Sequence, residues 1–168
     1  MEWQSIGVFS KLFPILPGSL RRMSLKELKH GFVMQALNEL CLCGSRDSYA
    51  LCCGSCHQDI PAKSAQALMR SRYCAYALGL VDYIIKTTHP LHPDSARPLE
   101  VRKKEIEEFC KTTVFKGLKI LDVQEGETQS TVKFTVFLSQ AGKDFSFTEK
   151  STFEKVHGQW LYLSGQID

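Results

Sequence analysis

The sequence lacks any hydrophobic run long enough to cross a membrane, which takes about 20 consecutive apolar residues. Its apolar opening, Ile6 to Leu16, is broken by Lys11 and Pro14, and the basic pair Arg21 and Arg22 comes after it, whereas a secretory signal carries its positive charges first. Neither sign of charge dominates: 21 Lys and Arg stand against 18 Asp and Glu, a formal net charge of +3. Residues 1–40 hold five Lys or Arg against three acids, so the remainder is close to neutral and a nucleic-acid footprint is not evident. There is no glycine-rich phosphate loop, no Ser-His-Asp spacing and no second metal cluster, which excludes the common nucleotide-binding and triad signatures. With 43% hydrophobic and 23% charged residues the composition also excludes a disordered or collagen-like chain. A length of 168 residues suits one medium domain with a small appendage.

What the sequence has is cysteine, seven in all, four of them within "CLCGSRDSYALCC", residues 41–53. Thiols in this number without an export signal predict a reducing, cytoplasmic location, where cysteines stay free or hold metal more often than they pair. Disulfides are also disfavoured locally. Adjacent Cys52 and Cys53 point in different directions, and closing them on Cys41 and Cys43 would strain so small a loop. A zinc ion gathers four thiolates in a tetrahedron at about 2.3 Å and needs two short ligand pairs brought together by a turn. Cys41 with Cys43, and Cys52 with Cys53, separated by eight residues, meet that need. Gly44 suits the sharp turn, and Ser45, Asp47 and Ser48 can direct hydrogen bonds back toward the site. Arg46 is placed either to offset the excess negative charge or to be solvated. Cys74 and Cys110 have no paired spacing, which predicts small apolar packing residues.

The remaining pattern is helices followed by strands, an α+β layout. Ser64 can cap a helix carrying Ala65, Met69, Tyr73, Tyr76 and Leu80 near one stripe and ending at Gly79, and "VDYIIKTTHP" starts a shorter one. "PLEVRKKEIEEFCKTT" predicts a third, with Pro98 at its start, Leu99, Ile106, Phe109 and Cys110 inward, and Lys103–Glu107 and Lys104–Glu108 as surface pairs. From Val114 the period becomes two: Val132, Phe134, Val136 and Leu138 alternate with Thr131, Lys133, Thr135 and Phe137. Gly142, Lys143 and Asp144 read as one turn and His157 with Gly158 as another. Glu149 and Ser151 share the expected buried face with Phe147 and Phe153, and a buried carboxylate needs a partner. Arg70 or Arg72 from the first helix would supply it, as a fold-organising ion pair or as the polar wall of a ligand pocket. His89, beside Pro90, reads as a turn or capping residue before a catalytic one. Tyr73, Tyr76, Trp160 and Tyr162 suit a core whose hydroxyls reach a rim.

"CLCGSRDSYALCCGSCH" resembles the SEC-C zinc motif. "LMRSRYCAYALGLVDYIIKTTHP" and "EKSTFEKVHGQWLYLSG" are similar to the two signatures of the YchJ family, bacterial proteins in which that motif precedes a domain resembling nuclear transport factor 2. The family often has Trp where this chain has Thr88. The resemblance implies an N-terminal extension over 1–40, a SEC-C knuckle over 41–57, and over 58–168 a cone in which helices cover the concave face of a curved antiparallel sheet. It implies Zn2+ on Cys41, Cys43, Cys52 and Cys53, with Cys56 and His57 as alternative ligands. A closed ligand set makes that zinc structural rather than catalytic. The expected function is therefore a protein-interaction module presenting the knuckle to a protein partner. The alternative is a small-molecule-binding protein or enzyme using the pocket of the cone, with Arg70, Arg72, Tyr73, His89, Glu149 and Ser151 as its polar network.

Overall fold

A computed structural model describes residues 40–168; residues 1–39 of the extension expected over 1–40 lie outside the described residues. After a 3-10 turn at Tyr49–Leu51 come four helices: α1 (Cys53–His57), α2 (Ala65–Leu78), α3 (Val81–Lys86) and α4 (Leu99–Thr112). Five strands follow: β1 (Thr113–Gln124), β2 (Gln129–Gln140), β3 (Lys143–Asp144), β4 (Phe147–Val156) and β5 (Gln159–Ile167). Helices first and an antiparallel sheet second is the α+β order expected.

Helix α2 starts and stops where its chemistry dictates. The Ser64 hydroxyl accepts a hydrogen bond from the Ala67 N–H at 3.1 Å, capping an otherwise orphaned donor. At the other end Gly79 turns left-handed, with φ of 69°. That conformation costs a glycine little, and it lets the Leu80 N–H reach back to the Ala75 carbonyl. Leu68, Met69 and Tyr73 are buried, as are Val132, Phe134, Val136 and Leu138 of β2, Phe153 of β4 and Trp160 of β5, and together they form the core. Each such aliphatic or aromatic side chain contributes about 1.5–3 kcal/mol by leaving water.

Helix α4 departs from expectation. Leu99 is 46% exposed, and Ile106, Phe109 and Cys110 are only partly buried, so the helix lies along the rim of the core. Its lysines form different pairs from those predicted: Lys103 reaches Asp82 of α3 at 2.8 Å, and Lys111 reaches Glu107 at 3.6 Å. The partner across the helix interface competes successfully with the one on the same helix.

The sheet runs in the order β1-β2-β4-β5, all antiparallel, with β3 paired to the end of β2. Ala141 and Gly142, both at positive φ, make the two-residue turn, so Lys143 and Asp144 belong to strand rather than turn. Between β3 and β4 the Ser146 hydroxyl accepts the Leu138 N–H at 3.0 Å, standing in for a ladder bond. His157 and Gly158 form the second left-handed turn, as expected. Register shifts leave Lys116 and Leu121 unopposed on β1. An extra residue on one strand bends it and increases its twist, which curves the sheet around α2.

The Ser64 cap is exposed to a direct check. Ser64→Ala should lower stability by about 1 kcal/mol, seen as a lower urea midpoint with an unchanged m-value; no change in midpoint would mean that the cap adds nothing.

Candidate metal centre and adjoining cavity

The knuckle is built by two local devices. In the first, the Gly44 N–H bonds back to the Cys41 carbonyl at 3.0 Å, and the Cys41 N–H bonds to the Asp47 carbonyl at 2.7 Å. Gly44 has φ of 75°, so the turn falls where a side chain would strain it, and it brings Cys41 and Cys43 together. In the second, Cys52 has φ and ψ both at −110°, between the 3-10 turn and α1. That break allows neighbouring Cys52 and Cys53 to face the same centre, which consecutive residues of a regular helix do not do. A Cβ on Gly54 would lie 2.7 Å from the Tyr49 carbonyl oxygen, so only glycine lets α1 sit this close to the preceding turn.

The sulfur atoms of Cys41, Cys43, Cys52 and Cys53 lie within 4.8 Å of one another and could hold a metal ion. Cys43 and Cys52 are 3.6 Å apart and Cys52 and Cys53 3.8 Å. A tetrahedron of sulfurs at 2.3 Å from one ion has edges of about 3.8 Å, so the donor set fits such an ion. The Ser45 hydroxyl donates to Cys52 Sγ at 3.2 Å. Hydrogen bonds from Cys41 first, then from Cys53 and Cys74, hold the Cys43 thiol far below the ordinary thiol value. Cys53 is correspondingly driven far above it by its bonds to Cys41 and Cys43. Burial pushes Cys52 up to about 11.

The alternative ligands are otherwise engaged. His57 Nε2 faces the Ser71 carbonyl at 2.9 Å and its Nδ1 faces the Tyr49 hydroxyl at 2.6 Å. Nε2 therefore carries the proton and Nδ1 accepts one, and both nitrogens are used in joining the knuckle to α2. Burial lowers the His57 pKa, which keeps the ring neutral. Cys56 is partly buried and stands outside the four-sulfur group. Arg46 is exposed. The cation beside the cluster is instead Arg70, whose Nη1 donates to the Cys43 carbonyl at 2.8 Å.

Sequence reasoning missed Cys74. Read as an apolar packing residue, it is fully buried, with its Sγ 3.6 Å from Cys41 Sγ. Cys74 is one helical turn beyond Arg70 and shares its face, but only the packing of α2 against the knuckle brings that face to the cluster.

On the other side of α2 a cavity of about 410 Å³ opens between helix and sheet, lined in part by Arg72, Tyr73, Glu149, Ser151 and Tyr162. The predicted arginine–Glu149 ion pair does not form. Arg72 Nη1 donates to the Ile84 carbonyl at 2.9 Å and to the Thr87 and Thr88 hydroxyls at 2.7 and 3.3 Å, and its guanidinium lies over the Tyr162 ring. Glu149 accepts from the Ser151 hydroxyl and from the Tyr162 hydroxyl, the latter at 3.3 Å. A Cβ on Gly165 would stand 2.1 Å from that carboxylate, so the glycine makes room for it. Burial drives the Tyr73 hydroxyl up to about 12. His89 does not line the cavity. It is buried and caps a turn, Nδ1 accepting the Leu91 N–H at 3.0 Å while its own N–H bonds to the Tyr162 carbonyl.

Residues 64–165 match the YchJ middle NTF2-like domain and residues 38–55 match the SEC-C motif. The chain is 39% identical over 128 residues to a UPF0225 protein of Vibrio vulnificus strain CMCP6, covering 74% of this chain and 73% of that one. It is 35% identical over 131 residues to a UPF0225 protein of Bordetella pertussis, covering 76% and 92%. Among solved structures, a SEC-C motif containing protein from Rhodopseudomonas palustris superposes with a TM-score of 0.65 at 34% identity, covering 76% of this chain and 98% of that one. A second, from Psychrobacter arcticus, gives 0.66 at 25% identity, covering 80% and 86%.

Metal uptake should depend on pH with a definite sign. Cys52 and Cys53 both sit above the ordinary thiol value, so both carry protons near neutrality and must lose them to bind. Affinity should therefore rise with pH, by at least about tenfold per unit between pH 6 and 8. Competition titration against a chromophoric chelator checks this, and a flat profile would contradict it.

Proposed function

Because the chain belongs to the YchJ family of UPF0225 proteins, we propose that it is a cytoplasmic protein-interaction module, its SEC-C knuckle held rigid by a structural zinc ion and offered to a protein partner. The donor set supports zinc, since four thiolates in a tetrahedron select zinc or an iron–sulfur centre, and a single ion fits among sulfurs that all lie within 4.8 Å of one another. Four protein ligands leave no open position for water or substrate, so the ion's chemistry is structural.

The observation that carries the reading is the exposure of apolar side chains next to the ligands. Leu42, between Cys41 and Cys43, is 51% exposed, and Leu51, beside Cys52, is 85% exposed. A loop of this size cannot bury them within itself, and a metal fixes the backbone that presents them. Ordering the contact surface before binding reduces the entropy lost on association.

A second reading is favoured by one feature of the cone. Glu149 is bound by hydroxyls rather than by an arginine, and it faces a cavity shared with Arg72. A small polar molecule offering both a donor and an acceptor would suit that wall.

The two readings separate in one experiment. Zinc-loaded protein, a Cys41→Ser/Cys43→Ser variant and a Leu42→Asp/Leu51→Asp variant serve as baits for quantitative capture from lysate, alongside Glu149→Gln. A partner retained by the wild type and by Glu149→Gln, lost from the cysteine variant, and lost from the leucine variant while that variant keeps its zinc, is the expected result. Capture that is the same for all four baits would remove the module reading.

A further inference from the structure

Five sulfurs, not four, meet where the knuckle rests on the cone. Cys74 belongs to α2, 33 residues beyond Cys41, yet its Sγ lies 3.6 Å from Cys41 Sγ. Cys41, Cys43, Cys52 and Cys53 lie within 4.8 Å of one another, and Cys41 also touches Cys74. Cys41, Cys43, Cys53 and Cys74 are buried, whereas Cys52 is partly exposed and is hydrogen-bonded to Ser45 at the outer side of the cluster. A tetrahedral ion has room for four of the five.

We propose that Cys74 is a second candidate for the fourth ligand position: Cys41, Cys43 and Cys53 hold the ion throughout, and Cys52 and Cys74 exchange on it. The inference rests on the reading of the knuckle as a zinc site. In the exchange one metal–sulfur bond breaks and another forms. The departing thiolate takes up a proton and the arriving thiol releases one, so the charge of the site is unchanged and nothing is oxidised or reduced. With Cys52 bound, the ion closes the knuckle on itself. With Cys74 bound, it ties the knuckle to the central helix of the cone and frees the one solvent-accessible thiol of the set. A soft electrophile that captures Cys52 would then move the ion inward instead of expelling it.

The test uses zinc and cobalt(II) on the intact chain. Wild-type protein is expected to bind one equivalent, with the cobalt charge-transfer band of four thiolates. Cys52→Ser should keep that four-thiolate band and bind zinc within about tenfold of the wild type, and Cys74→Ser should do the same. The double variant should drop to a three-thiolate band and lose more than the roughly 100-fold that removal of an outer partner costs. A three-thiolate band in Cys52→Ser alone, with no further change on adding Cys74→Ser, would overturn the exchange; so would loss of the four-thiolate band in Cys74→Ser alone. Failure of the wild type to bind either metal would instead defeat the zinc reading itself. Alkylation of zinc-loaded wild type supplies a measurement that needs no variant to fold. N-ethylmaleimide located on Cys52 by peptide fragmentation, with zinc retained, supports the exchange, and zinc release in step with Cys52 modification overturns it.

Discussion

Helix α2 is gripped from two sides, and the placement of the candidate residues it carries follows from that grip. Toward the knuckle it offers the Arg70 guanidinium to the Cys43 carbonyl, the Ser71 carbonyl to His57 and the Cys74 thiol to Cys41. Toward the sheet it offers Met69, Arg72 and Tyr73 to the cavity wall. The helix repeat makes this division unavoidable. Residues two apart stand on opposite sides of a helix, so Arg70 and Arg72 cannot both turn to Glu149, and the sequence "MRSRY" spends one on each neighbour.

This geometry explains what the sequence makes legible and what it hides. The cysteine pairs of residues 41–53 are visible because their spacing is a local constraint, satisfied within one turn and one broken helix start. The α+β order, the cap at Ser64 and the alternation along β2 are visible for the same reason, since each depends on neighbours a few positions away. The partners of Arg72, Lys103 and Cys74 depend on which helix packs against which, and no periodicity records that. Glu149 shows the limit most clearly. Its partial burial and its Ser151 partner are readable from the face it shares with Phe153, but its Tyr162 partner requires the register that sets β5 beside β4.

The Arg72 guanidinium and the Glu149 carboxylate of the cone are met by neutral partners. Arg72 is 7% exposed and is met by a carbonyl, two hydroxyls and an aromatic face, not by a carboxylate. Such an arrangement retains the positive charge of the guanidinium, where a buried ion pair would cancel it. The Glu149 carboxylate is likewise held by hydroxyls, those of Ser151 and Tyr162. The cavity is thus lined by a guanidinium and a carboxylate, each held in place by side chains that belong to the fold.

The path of the chain carries one more consequence. Strands β1, β2, β4 and β5 lie in the sheet in the order in which they occur in the chain, so the meander can zip up by nearest-neighbour pairing with little loop entropy to overcome. The knuckle, by contrast, leaves the ribosome before the helix that seats it. During synthesis, residues 41–57 are the first of the described residues to appear and must wait for α2 before they have a surface to rest on, so an early-bound ion would shelter exposed thiols through that interval.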